Sequence, residues 1–377
     1  MREEIKQAKR IVFKIGSSTL LDAESRLDGP VLHQLVALWS RLRMEGRDVL
    51  LVSSGAIAMG WPDLGFSSRP RRIPDKQAAA AIGQCKLMSL YDSFFNASHI
   101  TVAQVLLTRE DIGDRKRYLN AKNTLNALLS RGIIPIINEN DTVAFDEIKF
   151  GENDTLAAMV AGLVDADLVF ILSDVDGLYT ADPRKDITAR RIPLVSEFTD
   201  EIRALAGGVT SATGSGGMKT KVEAAYIAAQ SNIPLLIAFG KDVERLGHIL
   251  AGGEGGTLFA VSGHGLGHRK RWIAYGSALK GAVTVDDGAA KALLKHGKSL
   301  LPAGVVACEG TFDRGDVIAV HDEKGRELAR GIVNYGSHDL VRLLGCHSSE
   351  IAALLGEEGE EELPEIIHRD NLVLEEN

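Results

Sequence analysis

Lys14 sits inside the apolar run Ile11-Val12-Phe13-Lys14-Ile15 and is followed by Gly16-Ser17-Ser18. An ammonium within an otherwise buried run is costly unless an anion meets it. The glycine after it lets a phosphate approach the backbone. A lysine whose stem carries it from a strand end out to solvent is the alternative, and Lys14 by itself does not separate the two. A second basic cluster is Gly214-Ser215-Gly216-Gly217-Met218-Lys219-Thr220-Lys221. There a Gly/Ser loop feeds an alanine-rich helix. Free N–H groups and the helix dipole favour an anion at that point, and two lysines add positive charge. The run is neither G-x-x-x-x-G-K-[ST] nor G-x-G-x-x-G. Phosphate binding accounts for it better than a plain flexible loop does.

Polar residues close the other apolar runs. Ser53-Ser54-Gly55-Ala56 can cradle a small anion on backbone N–H groups, although an ordinary strand-to-helix turn uses the same residues. Asn138-Glu139-Asn140-Asp141 places a carboxylate that can grip a substrate amine or form an Asx-turn. Gly151-Glu152-Asn153-Asp154 opens a helix, so one of these residues caps it. Three polar groups exceed what a cap needs, and Asp141 lies only a loop away. Ser173-Asp174 ends another run; a turn explains Gly177 and Pro183 but not the placement of Asp174. Two lysine sites, several carboxylates and glycine loops along one edge of one sheet fit phosphoryl transfer. Such catalysis is mainly positioning and charge neutralisation.

The elements that must position these groups are readable. Strands are expected at Ile11–Ile15, Val49–Val52, Thr101–Leu107, Ile133–Ile137, Leu168–Leu172 and Pro234–Ala238. They are short, apolar on both faces and rich in Val, Ile or Leu, as parallel strands covered on both sides are. Helices are expected at Val31–Glu45, Lys116–Arg131, Asp154–Val164 and Thr220–Ser231, the first two closed by Gly46 and Gly132. The alternation defines a three-layer α/β/α sandwich with a mainly parallel central sheet. Near residue 255 the pattern shifts to glycines and the basic run Arg269-Lys270-Arg271. Shorter segments follow at Ala282–Val285, Val305–Cys308, Asp316–Val320 and Gly331–Tyr335, which read as a small β-rich domain. The boundaries are a large domain over 1–260, a linker over 261–277, the small domain over 278–356 and an acidic tail over 357–377. That tail carries nine acids and one Arg, and is expected to be a solvated end.

Composition narrows the classes. The 377 residues hold 43 Lys+Arg and 51 Asp+Glu, a net charge of −8, which disfavours a general nucleic-acid binder. Residues 280–356 hold nine Lys+Arg and ten Asp+Glu, a balance of −1. Cys85, Cys308 and Cys346 are odd in number and far apart, so neither a disulfide framework nor a zinc site is expected and a reducing cytoplasm is. The first residues lack the apolar stretch of a signal peptide, and no apolar run is long enough to span a membrane.

Phe13–Ser18, Ser53–Ile57, Ile137–Asp141, Gly151–Asp154 and Gly216–Lys221, in that order, resemble the glutamate 5-kinases of the amino acid kinase family. The segment with Ile273, Val283–Ala289 and Leu300–Gly304 resembles the PUA domain that many bacterial members carry. The resemblance implies the amino acid kinase fold and ATP-dependent phosphorylation of the γ-carboxylate of L-glutamate, the first step of proline synthesis. It implies that Lys14 and Lys221 contact ATP phosphates, with Asp154 orienting them. It places Ser54, Asp141 and Asn153 on glutamate with Glu152 nearby, and Ser173, Asp174 and Ser215 to Lys221 on the nucleotide. Ser53, Ser173 and Ser215 stand where the family more often has Thr, keeping the hydroxyl; Glu152 stands where Asp is common. Mg²⁺ would lean on ATP oxygens and on few protein ligands, with no dedicated protein metal site. L-proline as inhibitor, a homo-oligomer and functional coupling to glutamyl phosphate reductase are implied in the same way. Acetylglutamate, aspartate or carbamate as acceptor, and an RNA-binding accessory role for the PUA domain, are the rival readings.

Overall fold

Runs of Val, Ile and Leu bury themselves as strands, and their pairing decides where the polar residues behind them come to lie. A computed structural model describes residues 2–22, 27–66, 68–143, 153–207, 217–261, 273, 279–355 and 364–374. The chain divides into two compact units. The first holds β1 (Arg10–Ile15), β2 (Asp48–Ser53), β3 (Val102–Leu107), β4 (Ile134–Glu139), β5 (Leu168–Ser173), β6 (Leu194–Val195), β7 (Leu235–Phe239) and β8 (Thr257–Phe259). Their order in the sheet is β3-β4-β2-β1-β5-β7-β8-β6. Every neighbouring pair is parallel except β7–β8. The carboxyl ends of β1, β2, β3, β4, β5 and β7 therefore share one edge, where open α/β sheets take their ligands.

The register sorts side chains between two faces. Lys14 pairs with Val52 and Ile171, and Ile171 with Ile237, so these four share a face. The helices Asn153–Val164 and Met218–Gln230 lie on that face and pack against each other. Phe13, Leu51, Ile136, Phe170 and Leu236 point the other way. They form a core with the helices Gly29–Met44, Ile73–Asn96 and Val243–Leu250. Phe13 stacks on Phe170 at 5.6 Å between ring centres and meets the buried Trp39 at 6.0 Å. Each such buried ring contributes about 1.5–3 kcal/mol. Helices on both faces give the expected three layers.

The six strands and four helices expected in this unit are present within two or three residues of their expected ends. Gly46 and Gly132 adopt φ of +86° and +75° just past their helices, as left-handed caps require. The 24-residue helix Ile73–Asn96 was not expected. Gly83 in its middle weakens the helical pattern and serves packing instead. A Cβ there would lie 1.7 Å from the Ala56 carbonyl oxygen, and one at Gly60 would lie 1.9 Å from the Ala79 carbonyl oxygen. The short helix Ala56–Gly60 thus crosses the long one backbone to backbone.

The second unit has its own five-stranded sheet: β9 (Gly281–Val285), β10 (Val305–Gly310), β11 (Val317–Asp322), β12 (Glu327–Ile332) and β13 (Leu372–Leu374), in the order β10-β9-β11-β12-β13. Its core includes Val283, Val285, Leu293, Ile318 and Val320. Two expectations are corrected here. The strand expected at Gly331–Tyr335 lies at Glu327–Ile332, because it pairs antiparallel with β11 through the turn at Lys324–Gly325. The tail is not a solvated end throughout. Ile366 and Ile367 are buried in this core and β13 pairs with β12, so apolar burial overrides the acidic composition there. Among the described residues no helix is long and apolar enough to cross a membrane.

Candidate active site

The fold brings Lys14 from the end of β1 and Lys221 from the first turn of the helix Met218–Gln230 onto one carboxylate. Lys14 Nζ lies 2.8 Å from Asp154 Oδ1, and Lys221 Nζ lies 3.1 Å from Asp154 Oδ2. The Thr220 hydroxyl lies 2.8 Å from the same Oδ2 and 2.9 Å from the Gly217 carbonyl oxygen. Asp154 has no exposed surface, and both lysines are buried. Burial pushes the Asp154 carboxyl upward, but the two ammonium groups outweigh that and hold it below its ordinary value. Burial lowers the Lys14 ammonium; Asp154 opposes the shift, Lys221 adds to it, and Asp174 opposes it more weakly.

One negative and two positive charges leave a surplus of +1. Asp154 and Lys221 both stand in the first turn of their helices, so two helix N-termini add positive potential at the same place. A Cβ at Gly16 would lie 3.6 Å from Lys14 Nζ, in ordinary contact with it, so Gly16 stands directly beside that ammonium. A net positive charge beside two helix N-termini favours an anion there.

A second polar cluster lies where β2 and β4 end. Asn153 Nδ2 lies 2.9 Å from Ser54 Oγ, 2.9 Å from Asn138 Oδ1 and 3.3 Å from the Ser53 carbonyl oxygen. Ser53 Oγ is 2.9 Å from the hydroxyl of the buried Tyr91, whose own ionisation burial pushes up. Asp141 follows β4, half-buried. Burial pushes its carboxyl up to about 6, against the pull of Arg69. Asn153 and Asp154 are consecutive, so the two clusters share one helix start.

Ser173 is buried at the end of β5 and donates to Asp174 Oδ1 at 3.1 Å; Asp174 itself is exposed. Gly217 is the N-cap, Met218 is buried and Lys219 is exposed. Of the residues singled out in the sequence, Lys14, Asp154, Thr220 and Lys221 meet, and Ser54 meets Asn153. Glu152, Ser215 and Gly216, with Gly151, lie outside the described residues. Among the described residues no group of three or more His, Cys, Asp or Glu side chains could hold a metal ion. Sequence reasoning missed Gln84, Tyr91 and Gln104. The first two sit on the helix Ile73–Asn96, which the sequence did not reveal. A polar residue spaced among Ala79, Ala80, Leu87 and Tyr91 on the buried face was the available signal.

A mainly parallel sheet with cationic groups gathered on its carboxyl edge, in a chain that also carries a separate small β-unit, has the organisation of the amino acid kinase family with a PUA domain. Residues 9–238 match the amino acid kinase family and residues 281–355 match the PUA domain. The chain is 50% identical over 370 residues to a glutamate 5-kinase from Geobacter sulfurreducens, covering 98% of each chain. It is 49% identical over 375 residues to one from Carboxydothermus hydrogenoformans, covering 99% of this chain and 100% of that one. Another, from Caldanaerobacter subterraneus, is 49% identical over 365 residues, with 97% of each chain covered. The chain belongs to the glutamate 5-kinase family.

Proposed function

We propose that the chain transfers the γ-phosphoryl group of ATP to the γ-carboxylate of L-glutamate, giving L-glutamyl 5-phosphate and ADP, the opening step of proline synthesis. The observation that carries this reading is the meeting of Lys14 and Lys221 on Asp154, next to the Ser54–Asn153 cluster. The nucleophile is a carboxylate with a reference pKa near 4.3, ionised at neutral pH, so no general base is required. One carboxylate oxygen forms a bond to phosphorus, and the bond from phosphorus to the bridging oxygen of ADP breaks. The barrier is the approach of one anion to another. Lys14, Lys221 and the two helix N-termini neutralise that repulsion and the charge of the transition state.

Ser173, Asp174 and the segment from Ser215 to Lys221 serve the nucleotide; Ser54, Asp141 and Asn153 serve glutamate, with Glu152 beside them. Asp154 keeps the two ammonium groups side by side without taking part in the bond changes. Mg²⁺ would lean on phosphate oxygens and on few protein ligands, with the exposed Asp174, whose charge acts on Lys14, available to it; its charge would screen the phosphate oxygens. The product is a mixed anhydride that water destroys, which favours consumption by glutamyl phosphate reductase. L-proline shares the ammonium and carboxylate of the substrate, so we place it as a competitor at the amino acid site. A cytoplasmic homo-oligomer completes the reading.

A hydroxamate assay tests it. Hydroxylamine traps an acyl phosphate, so colour must depend on both glutamate and ATP. Colour without glutamate, or with acetylglutamate or aspartate in its place, would sink the assignment of the acceptor.

A further inference from the structure

The carboxyl edge of the large sheet changes chemistry from one side to the other. β4 and β2 end at the Ser54–Asn153 cluster, β1 carries Lys14 near its end, β5 ends in Ser173 and β7 ends in Phe239. The strands stand in that order, β4-β2-β1-β5-β7. An amino acid held at β4 and β2, with phosphates at the lysines, leaves the ribose and base of a nucleotide to lie over β5 and β7.

β7 has four buried residues and then Phe239, which is 38% exposed. A single exposed apolar side chain needs no explanation by itself. The register is what gives this one a use. Phe239 pairs with Ser173, two residues beyond the pair of Ile237 with Ile171, and Ile171 pairs with Lys14. Residues two apart on a strand share a face, so Phe239, Ser173 and Lys14 project to the side covered by the helices Asn153–Val164 and Met218–Gln230. Leu172, Leu236 and Ala238 point the other way into the core with Phe13 and Trp39, a core to which Phe239 does not belong. β8 pairs with β7 only as far as Ile237, so among the described residues no strand pairs with Phe239 on that side. From the Cα of Lys14, Phe239 is two strands away, about 10 Å, and two residues further along, about 7 Å. A ribose with two phosphates bridges a gap of that kind.

We infer that Phe239 supplies the face on which the adenine base of ATP packs, which makes it a binding residue for the nucleotide; this rests on the kinase reading above. A ring offers a base its π-face without reading the base's hydrogen-bonding edge. The base in turn removes from water the ring surface that is otherwise exposed.

The test measures kcat and the KM values for ATP and glutamate by ADP release, in the full chain, for wild type, Phe239→Ala and Phe239→Tyr. Phe239→Ala should raise the ATP KM at least about fivefold, as loss of one stacked base does, while kcat at saturating ATP and the glutamate KM hold. Phe239→Tyr keeps the ring and should hold the ATP KM within about twofold. An unchanged ATP KM in Phe239→Ala overturns the inference. So does an equal rise in both KM values, because the ring would then support the edge rather than meet the base. A Phe239→Tyr enzyme as weak for ATP as Phe239→Ala overturns it too. Phe239→Trp decides independently, even should Phe239→Ala fail to fold: emission from the introduced indole, taken over the wild-type background, should fall on adding ATP and not on adding glutamate. Emission indifferent to saturating ATP, or lowered as much by glutamate, overturns the inference. Absence of glutamate-dependent ADP release in wild type would strike the kinase reading instead, so the two failures are distinct.

Discussion

Each oxygen of Asp154 holds one ammonium, and the arrangement stands only while all three charges are present. In Asp154→Asn the amide oxygen can still serve one lysine, but its NH2 would face the other. Removing one member of a buried charge cluster costs about 3–5 kcal/mol. The unfolding midpoint in urea should fall accordingly, and kcat by roughly 100-fold, as when a transition-state donor is misplaced. Lys14 is already lowered by burial, and Asp154 is what opposes that shift. Rate should therefore decline with rising pH sooner in the variant than in wild type. An unchanged alkaline limb would show that Lys14 does not depend on Asp154 for its charge. Asp141 sets the acid side. Its carboxyl sits at about 6 in the fold against an ordinary 3.8, because burial disfavours the charge. A raised value means that this group's contribution to stability is full below 3.8 and lost as pH rises through 6. Binding of an ammonium runs the other way, since it needs the ionised form. The glutamate KM should rise as pH falls below 6 while the ATP KM changes little, and Asp141→Asn should show a high, pH-independent glutamate KM. A wild-type glutamate KM that stays flat between about pH 5 and about pH 7 would contradict the role given to Asp141.

At the scale of elements, the site depends on a crossing that carries no chemistry. The helix Ala56–Gly60 follows directly on Ser54 and Gly55, and its approach to the helix Ile73–Asn96 is limited only by backbone. A methyl at Gly83 has nowhere to go, because its neighbour is the Ala56 main chain. Gly83→Ala should gain helix propensity of about 1 kcal/mol and lose about 1–3 kcal/mol to overpacking, a net destabilisation seen in thermal melting. Displacing Ala56 shifts Ser54, so the glutamate KM should rise more than the ATP KM. Equal changes in both would mean that the crossing supports the whole edge rather than the amino acid side. The same crossing shows why the sequence was only partly legible. Strands β1, β2, β4, β5 and β7 announce themselves because both faces are buried; Lys14 announces itself by interrupting an apolar run, Lys221 by following a glycine-rich loop, and Asp141 and Asp174 by closing apolar runs. The helix Ile73–Asn96 mixes alanine, charge and a central glycine, so its period is blurred and the buried Gln84 and Tyr91 on it stayed hidden. Pairs that exist only through tertiary contact, such as Gln84 with Asn138 or Ser53 with Tyr91, leave no mark in local spacing. The acidic tail misled for a related reason: Ile366, Ile367, Leu372 and Val373 are a few apolar residues among many acids, yet their burial decides that the segment folds.

Among the described residues, each of the two units has a hydrophobic core of its own, and the two share no residue. One is built around Phe13, Trp39, Tyr91 and Phe170, the other around Val285, Ile318, Leu343 and Ile367. A core of its own is what lets a unit melt on its own. Every residue given a role with ATP or glutamate belongs to the first unit, so ligands should stabilise that unit by mass action and leave the other alone. At a ligand concentration about 100 times the dissociation constant, the added stability is about 2.7 kcal/mol. For a unit of more than 200 residues that corresponds to a rise of several degrees. Scanning calorimetry should show two transitions, of which only the larger moves up with ATP and glutamate. The size ratio assigns them, because unfolding enthalpy scales with chain length. Deletion of β13 should move only the smaller transition, since that strand pairs solely within the second sheet. One transition that shifts as a whole with ligand would mean that the two cores unfold together, and the PUA unit would then have to be counted as part of what stabilises the kinase.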